Sequence, residues 1–122
     1  MKILNTRFLF YVFLLYLLSS CAVQIKPTYE IRTKVLKECE KWDRKFVATC
    51  MDGLSMAEST YQYALSTIDY KFKNIEDCSY AIYSLHFDIC EQYCKKQYGV
   101  IQNRACCEGV KRYSEELGEL CK

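Results

Sequence analysis

The chain has 122 residues, 51% of them hydrophobic and 26% charged, with nine cysteines, eleven tyrosines, four glycines, one proline and one histidine. Its formal charge of +2 argues against a nucleic-acid ligand, which needs clustered Lys and Arg to neutralise phosphates. The length suits one small domain, and the shortage of turn-forming residues points to long regular elements.

Lys2 and Arg7 flank the start of an apolar run, FLFYVFLLYLL at residues 8–18, which breaks at Ser19, Ser20, Cys21 and Ala22. A positive start, a short apolar core and small residues at 20 and 22 predict a secretory signal peptide over residues 1–22, cleaved after Ala22. The core falls short of the ~20 residues of a spanning helix, so no stable membrane span is expected after its removal. Leu18-Ser19-Ser20-Cys21 also resembles a bacterial lipobox, in which Cys21 would carry a lipid. Cleavage leaves residues 23–122 as a single cysteine-rich domain and lowers the basic count from 17 to 15 by loss of Lys2 and Arg7, against 15 acidic groups.

Periodicity predicts about four helices. Apolar residues at Ile31, Val35, Cys39, Trp42, Phe46 and Cys50 recur every three or four positions and place one helix over residues 29–52. Asp52 and Gly53 read as its stop, and Ser55 with Glu58 forms a capping box for a second helix carrying Ala57, Tyr61, Leu65, Ile68 and Phe72. Asn74 caps a third helix that runs to Tyr98 before Gly99. Asn103 could cap a fourth, with Cys106, Val110, Tyr113, Leu117 and Cys121 on one face and Gly109 and Gly118 weakening it. The third helix has the widest apolar arc, including Tyr80, Tyr83 and Phe87, which predicts a central position with neighbours on several sides. No strand-like alternation competes. The expected fold is all-α, a small disulfide-stapled helical bundle.

Once Cys21 is removed, eight cysteines remain: Cys39, Cys50, Cys78, Cys90, Cys94, Cys106, Cys107 and Cys121. An even set in a short exported chain is read as a disulfide framework. Cys90 and Cys94 have the spacing of half a zinc site, but the vicinal pair Cys106 and Cys107 diverges by ~100° on a helix. An oxidising compartment also removes the thiolates that zinc needs. No C-x-x-C stands beside a βαβ pattern, so neither metal nor cofactor is expected. With Cys39 and Cys50 on one helix about 16 Å apart, they cannot bond to each other. Four bridges then follow: one from the first helix to the third, one from the first to the fourth, and two from the third to the fourth. An antiparallel third and fourth helix pairs Cys78 with Cys121 and Cys94 with Cys106 or Cys107. Cys90 and the remaining vicinal cysteine are left for Cys39 and Cys50.

Enzyme motifs are lacking. His86 falls inside the apolar arc, where a packed imidazole is expected, and Asp88, two residues on, faces another side. No nucleophile elbow, phosphate loop, calcium loop or carboxylate pair appears. Tyrosine, with nine copies after residue 22, is the residue in surplus and suits interfaces. Tyr63 and Tyr70, seven apart and away from the core stripe of the second helix, are the expected interaction surface. The expected function is that of a secreted, non-enzymatic, extracellular protein-binding or effector module. The alternative is a carrier for a small hydrophobic ligand held between helices, which needs a cavity of a few hundred Å3.

Overall fold

The structure is a computed structural model that describes residues 7–12 and 22–122. Most of the expected signal peptide, including Ser20 and Cys21, lies outside the described residues. Residues 7–12 are helical and exposed. Among the described residues no helix is long and apolar enough to cross a membrane.

Helix α1 spans Tyr29–Cys39, and Thr28 accepts a hydrogen bond from the Ile31 amide at 3.3 Å, satisfying a donor that the first turn leaves free. Ile31, Val35 and Cys39 form its buried stripe. The chain then turns through residues 40–43 and starts again as α2, Arg44–Ser66. Two helices therefore replace the one expected over residues 29–52. The apolar rhythm crosses the turn without losing phase, because Trp42 and Phe46 pack edge to face at 6.1 Å over the corner.

Asp52 and Gly53, read as a stop, lie inside α2. Gly53 is instead where another helix touches: a Cβ there would stand 2.0 Å from the carbonyl oxygen of Cys106. The expected capping box is also internal, and Glu58 pairs with Arg32 of α1 at 2.5 Å.

Beyond α2, Asp69 and Tyr70 adopt left-handed backbone (φ 58° and 60°) and reverse the chain. The turn delivers β2, Lys71–Phe72, antiparallel to β1, Val23–Gln24, with Val23 opposite Phe72. This small ribbon was not foreseen. It sets Ile25, 1% exposed, into the core.

Helix α3, Ile75–Ile89, begins as expected at Asn74, whose side chain accepts from the Asp77 amide at 2.8 Å. It continues through a π-helical turn, Cys90–Cys94, and a short α4, Lys95–Gln97. Tyr98 is extended, and α5 runs over Val100–Glu119 with Gly99, not Asn103, at its N-cap.

Helix α5, not α3, is the hub. It packs against α1, α2 and α3, and Gly109 lets it approach α2 closely, since a Cβ there would lie 2.1 Å from the carbonyl oxygen of Cys50. Gly53 and Gly109 thus face each other's helix at one crossing, where small residues allow backbones to meet. Beside it the rings of Tyr61 and Tyr113 stack at 5.9 Å. The Tyr61 hydroxyl donates to the Ile82 carbonyl at 2.7 Å, with Ser114 Oγ also at 2.7 Å. The architecture is an all-α, disulfide-stapled bundle.

Candidate functional site

Sulfur chemistry comes first, because three bridges among the described residues fix the frame. Cys39 bonds Cys50, Cys78 bonds Cys121, and Cys94 bonds Cys106. The Cys78 and Cys94 pairings match expectation. The Cys39–Cys50 bridge overturns the expected four-bridge count between helices, because the turn at residues 40–43 puts the two cysteines on antiparallel neighbours. Cys90 and Cys107, expected to bond to α1 and its continuation, instead face each other as thiols.

The Cys90, Cys94 and Cys107 sulfurs all lie within 4.8 Å of one another, with Cys106 joined to this group through its bond to Cys94. Three converging sulfurs have the spacing of a metal cluster, but Cys94 is already spent in a disulfide. Burial pushes the Cys90 thiol well up, and the neighbouring Cys107 adds to the shift. Burial likewise raises Cys107. Reactive thiols need the opposite, a lowered pKa and access to solvent. The cluster is therefore built as a staple with a spare pair of thiols.

The second constellation lies on α3. Its core side carries Cys78, Ile82 and Ile89. The side turned away from the core, where a solvated helix would carry Lys or Glu, carries Tyr80, Tyr83 and Phe87, exposed by 74%, 66% and 56%. Their spacing of three and four residues makes them one stripe. The wide apolar arc was visible in the sequence, but it marks an uncovered aromatic face and not a helix buried on all sides.

A groove of about 320 Å3 borders this stripe along the seam of α3 and α5. It exists because small residues, Ser79, Ser114 and Gly118, line the seam beside Ile82. Tyr83 and His86 form one wall, their rings edge to face at 6.3 Å, and Lys111 and Glu115 form the other. Burial lowers the His86 pKa, with Glu115 opposing and Lys111 assisting. The imidazole is half-buried in the groove wall, not enclosed in the core.

The expected pair Tyr63 and Tyr70 does not form a common helical face. Tyr63 stands on α2 and is 77% exposed. Tyr70 lies beyond the end of α2, half-buried against the core, with Lys26 Nζ 5.3 Å above its ring. Two other tyrosines act as struts: Tyr93 and Tyr98 both donate to Asp52 Oδ2, at 2.7 and 2.5 Å, tying the π-helical turn and the loop after it to α2. Tyr80, Tyr83 and Phe87 are the surface aromatics that sequence reasoning misplaced.

No family model matches the chain, and no curated protein or solved structure matches it either.

Proposed function

We propose that the protein is secreted and acts outside the cell as a non-enzymatic, cross-linked helical module that binds a protein partner. The observation that carries this reading is the aromatic face of α3. Aromatic rings cost less conformational entropy to immobilise than long aliphatic charged chains, and they dominate the energetic centres of interfaces. Three disulfides support an oxidising destination. The first element of the folded body, Val23–Gln24, starts one residue after the expected cleavage point. Against catalysis stand the raised thiols and the lowered, aromatic-flanked imidazole.

Benzoylphenylalanine placed at position 80 or 87 tests the reading by photocrosslinking in the native extracellular fluid or on cell surfaces. A discrete crosslinked protein, competed away by unlabelled native protein and not obtained from position 63, is expected. Equal labelling from position 63, or none from α3, contradicts it.

The groove favours a second reading, a carrier of a small hydrophobic ligand, since its volume reaches the lower range of ligand pockets and its lining is mainly apolar. A fluorescent apolar probe separates the two. Saturable binding that Gly118→Phe abolishes would favour the carrier, and no binding by the native protein would leave the protein-binding module.

A further inference from the structure

The charges around the aromatic face are one-sided. At 100° per residue, Tyr83, Phe87 and Tyr80 occupy the arc directly opposite the buried stripe of Cys78, Ile82 and Ile89, with the groove on one flank. The other flank carries Asp77 and Asp88, eleven residues apart and therefore about 16 Å apart on the same edge of the helix. Both are exposed, and neither has an ion-pair partner among the described residues. Glu76, also exposed, lies instead in line with the aromatic stripe, one turn before Tyr80. α3 contains no Lys or Arg, and its His86 has a lowered pKa. Glu91, further along, is compensated by Lys95 at 2.5 Å. Across the groove Lys111 and Glu115 offset each other in charge.

Resting on the protein-binding reading, we infer that the partner docks an amphipathic helix along α3, its apolar ridge on Tyr80, Tyr83 and Phe87 and its basic residues along the Asp77–Asp88 edge. The area fits: three rings that can each bury about 150–250 Å2, exposed by more than half, supply roughly 400 Å2, about half of one side of a standard interface. The acidic edge gives orientation and encounter rate, and the rings give residence time. An antiparallel two-fold pairing with a second copy of this chain would set Asp77 beside Asp88 of the other copy, concentrating uncompensated carboxylates. An anionic membrane is repelled by the same edge.

Three synthetic 18-residue helical peptides test the inference on the secreted protein. Each carries one leucine face, and at two edge positions eleven apart they carry Lys, Gln or Glu. Fluorescence anisotropy at low salt should rank them Lys, Gln, Glu, with the Lys peptide binding about five- to tenfold tighter than the Gln peptide and losing that margin in high salt. Asp77→Asn with Asp88→Asn should erase the ranking yet keep leucine-dependent binding. Phe87→Ala should weaken all three by about tenfold or more. These side chains are exposed, so helicity and the disulfide map should stay native in every variant.

Indifference to the edge charge, or a preference for Glu, overturns the inferred partner chemistry while leaving protein binding through the face intact. Unchanged binding by Phe87→Ala overturns the use of the face itself. Binding of none of the peptides overturns the helical partner while leaving the photocrosslinking result to judge protein binding. Concentration-dependent dimerisation lost in Phe87→Ala, or sedimentation with phosphatidylcholine vesicles, replaces the helical partner with a second copy or a lipid surface.

Discussion

The glycines do not share one task, and the difference is decided by what surrounds the missing Cβ. At Gly53 and Gly109 a methyl group would stand 2.0 and 2.1 Å from the carbonyl oxygens of Cys106 and Cys50. These are backbone atoms of cross-linked helices, so relief requires α2 and α5 to separate. Gly53→Ala and Gly109→Ala should each cost about 3 kcal/mol or more, at or beyond the usual range for overpacking. At Gly118 the nearest atom is the Ile82 methyl at 3.9 Å, an ordinary contact on an open seam. Gly118→Ala should stabilise α5 by about 0.5–1 kcal/mol. Urea unfolding of the three variants checks the contrast in sign. The sequence showed Gly109 and Gly118 as equal helix weaknesses and Gly53 as a stop, since the contact that sets each role comes from another helix, distant along the chain.

The Asp52 clamp also acts at this scale. Its hydrogen bond to the Tyr98 phenol, with burial helping, raises the Tyr98 pKa to about 12, and a second bond from the Tyr93 phenol to the same carboxylate raises Tyr93. A raised folded-state pKa means that the folded chain holds the proton more tightly than the unfolded one. The stabilisation is therefore complete below the ordinary tyrosine value of about 10 and fades as pH rises through about 12. In Asp52→Ala the ionisation of Tyr98 should move down toward 10, and the extra loss of stability between those values should vanish. Phenolate absorbance titrations paired with melting curves would show it. If both proteins titrate alike, the clamp is not formed in solution.

Among the elements, the π-helical turn explains the sulfur geometry. The amide of Lys95 donates to the Cys90 carbonyl, five residues back, so one extra residue is wound into the rod. On an uninterrupted helix Cys94 would point about 150° from the buried stripe of α3, and an extra residue returns it by about 100°. Cys94 is fully buried and bonded to Cys106 as a result. The start of α3 at Asn74 was legible because a cap is local chemistry. The π turn was not, since it depends on a bond between helices. The break at residues 40–43 was hidden for a related reason: no Gly or Pro marks it, and Cys39, Trp42, Phe46 and Cys50 keep helical spacing across it. One misplaced boundary then reversed the deduction about Cys39 and Cys50. The thiols of Cys90 and Cys107 are held face to face by the same rod and α5. Because burial holds both as protonated thiols, glutathione disulfide should close them into a fourth bridge in the folded protein only slowly at neutral pH and faster as pH rises, with glutathione reduced in exchange and the protein lighter by two hydrogens. Peptide mapping should assign that bridge to Cys90–Cys107. Two thiols that persist even at alkaline pH, or a scrambled map, would count against the facing geometry.

For the molecule as a whole, sulfur makes up a large share of the interior. Among the described residues, seven of the twenty buried apolar ones are cysteines, and the larger side chains left, such as Tyr61, Tyr113, Leu54 and Leu117, form a thin seam between helices. A domain of about 100 residues is already marginal on surface burial alone, so the bridges should dominate its stability. They should not contribute equally. Cys78–Cys121 closes a loop of 43 residues, while Cys39–Cys50 and Cys94–Cys106 close 11 and 12. By chain entropy the long loop is worth about 4 kcal/mol and each short one about 3, with native-state strain shifting the values. Replacing both Cys78 and Cys121 by Ser should therefore lower stability more than replacing both Cys39 and Cys50, and it should free the C-terminal end of α5 from α3. Denaturant midpoints of the two double variants, with amide exchange along α5, measure this. Full reduction should then unfold most of the chain, because it removes all three constraints at once and leaves seven buried sulfurs as small, weakly packing thiols. Unchanged helicity and melting temperature in strong reductant would mean that the α2–α5 glycine crossing and the Tyr61–Tyr113 stack hold the bundle by themselves.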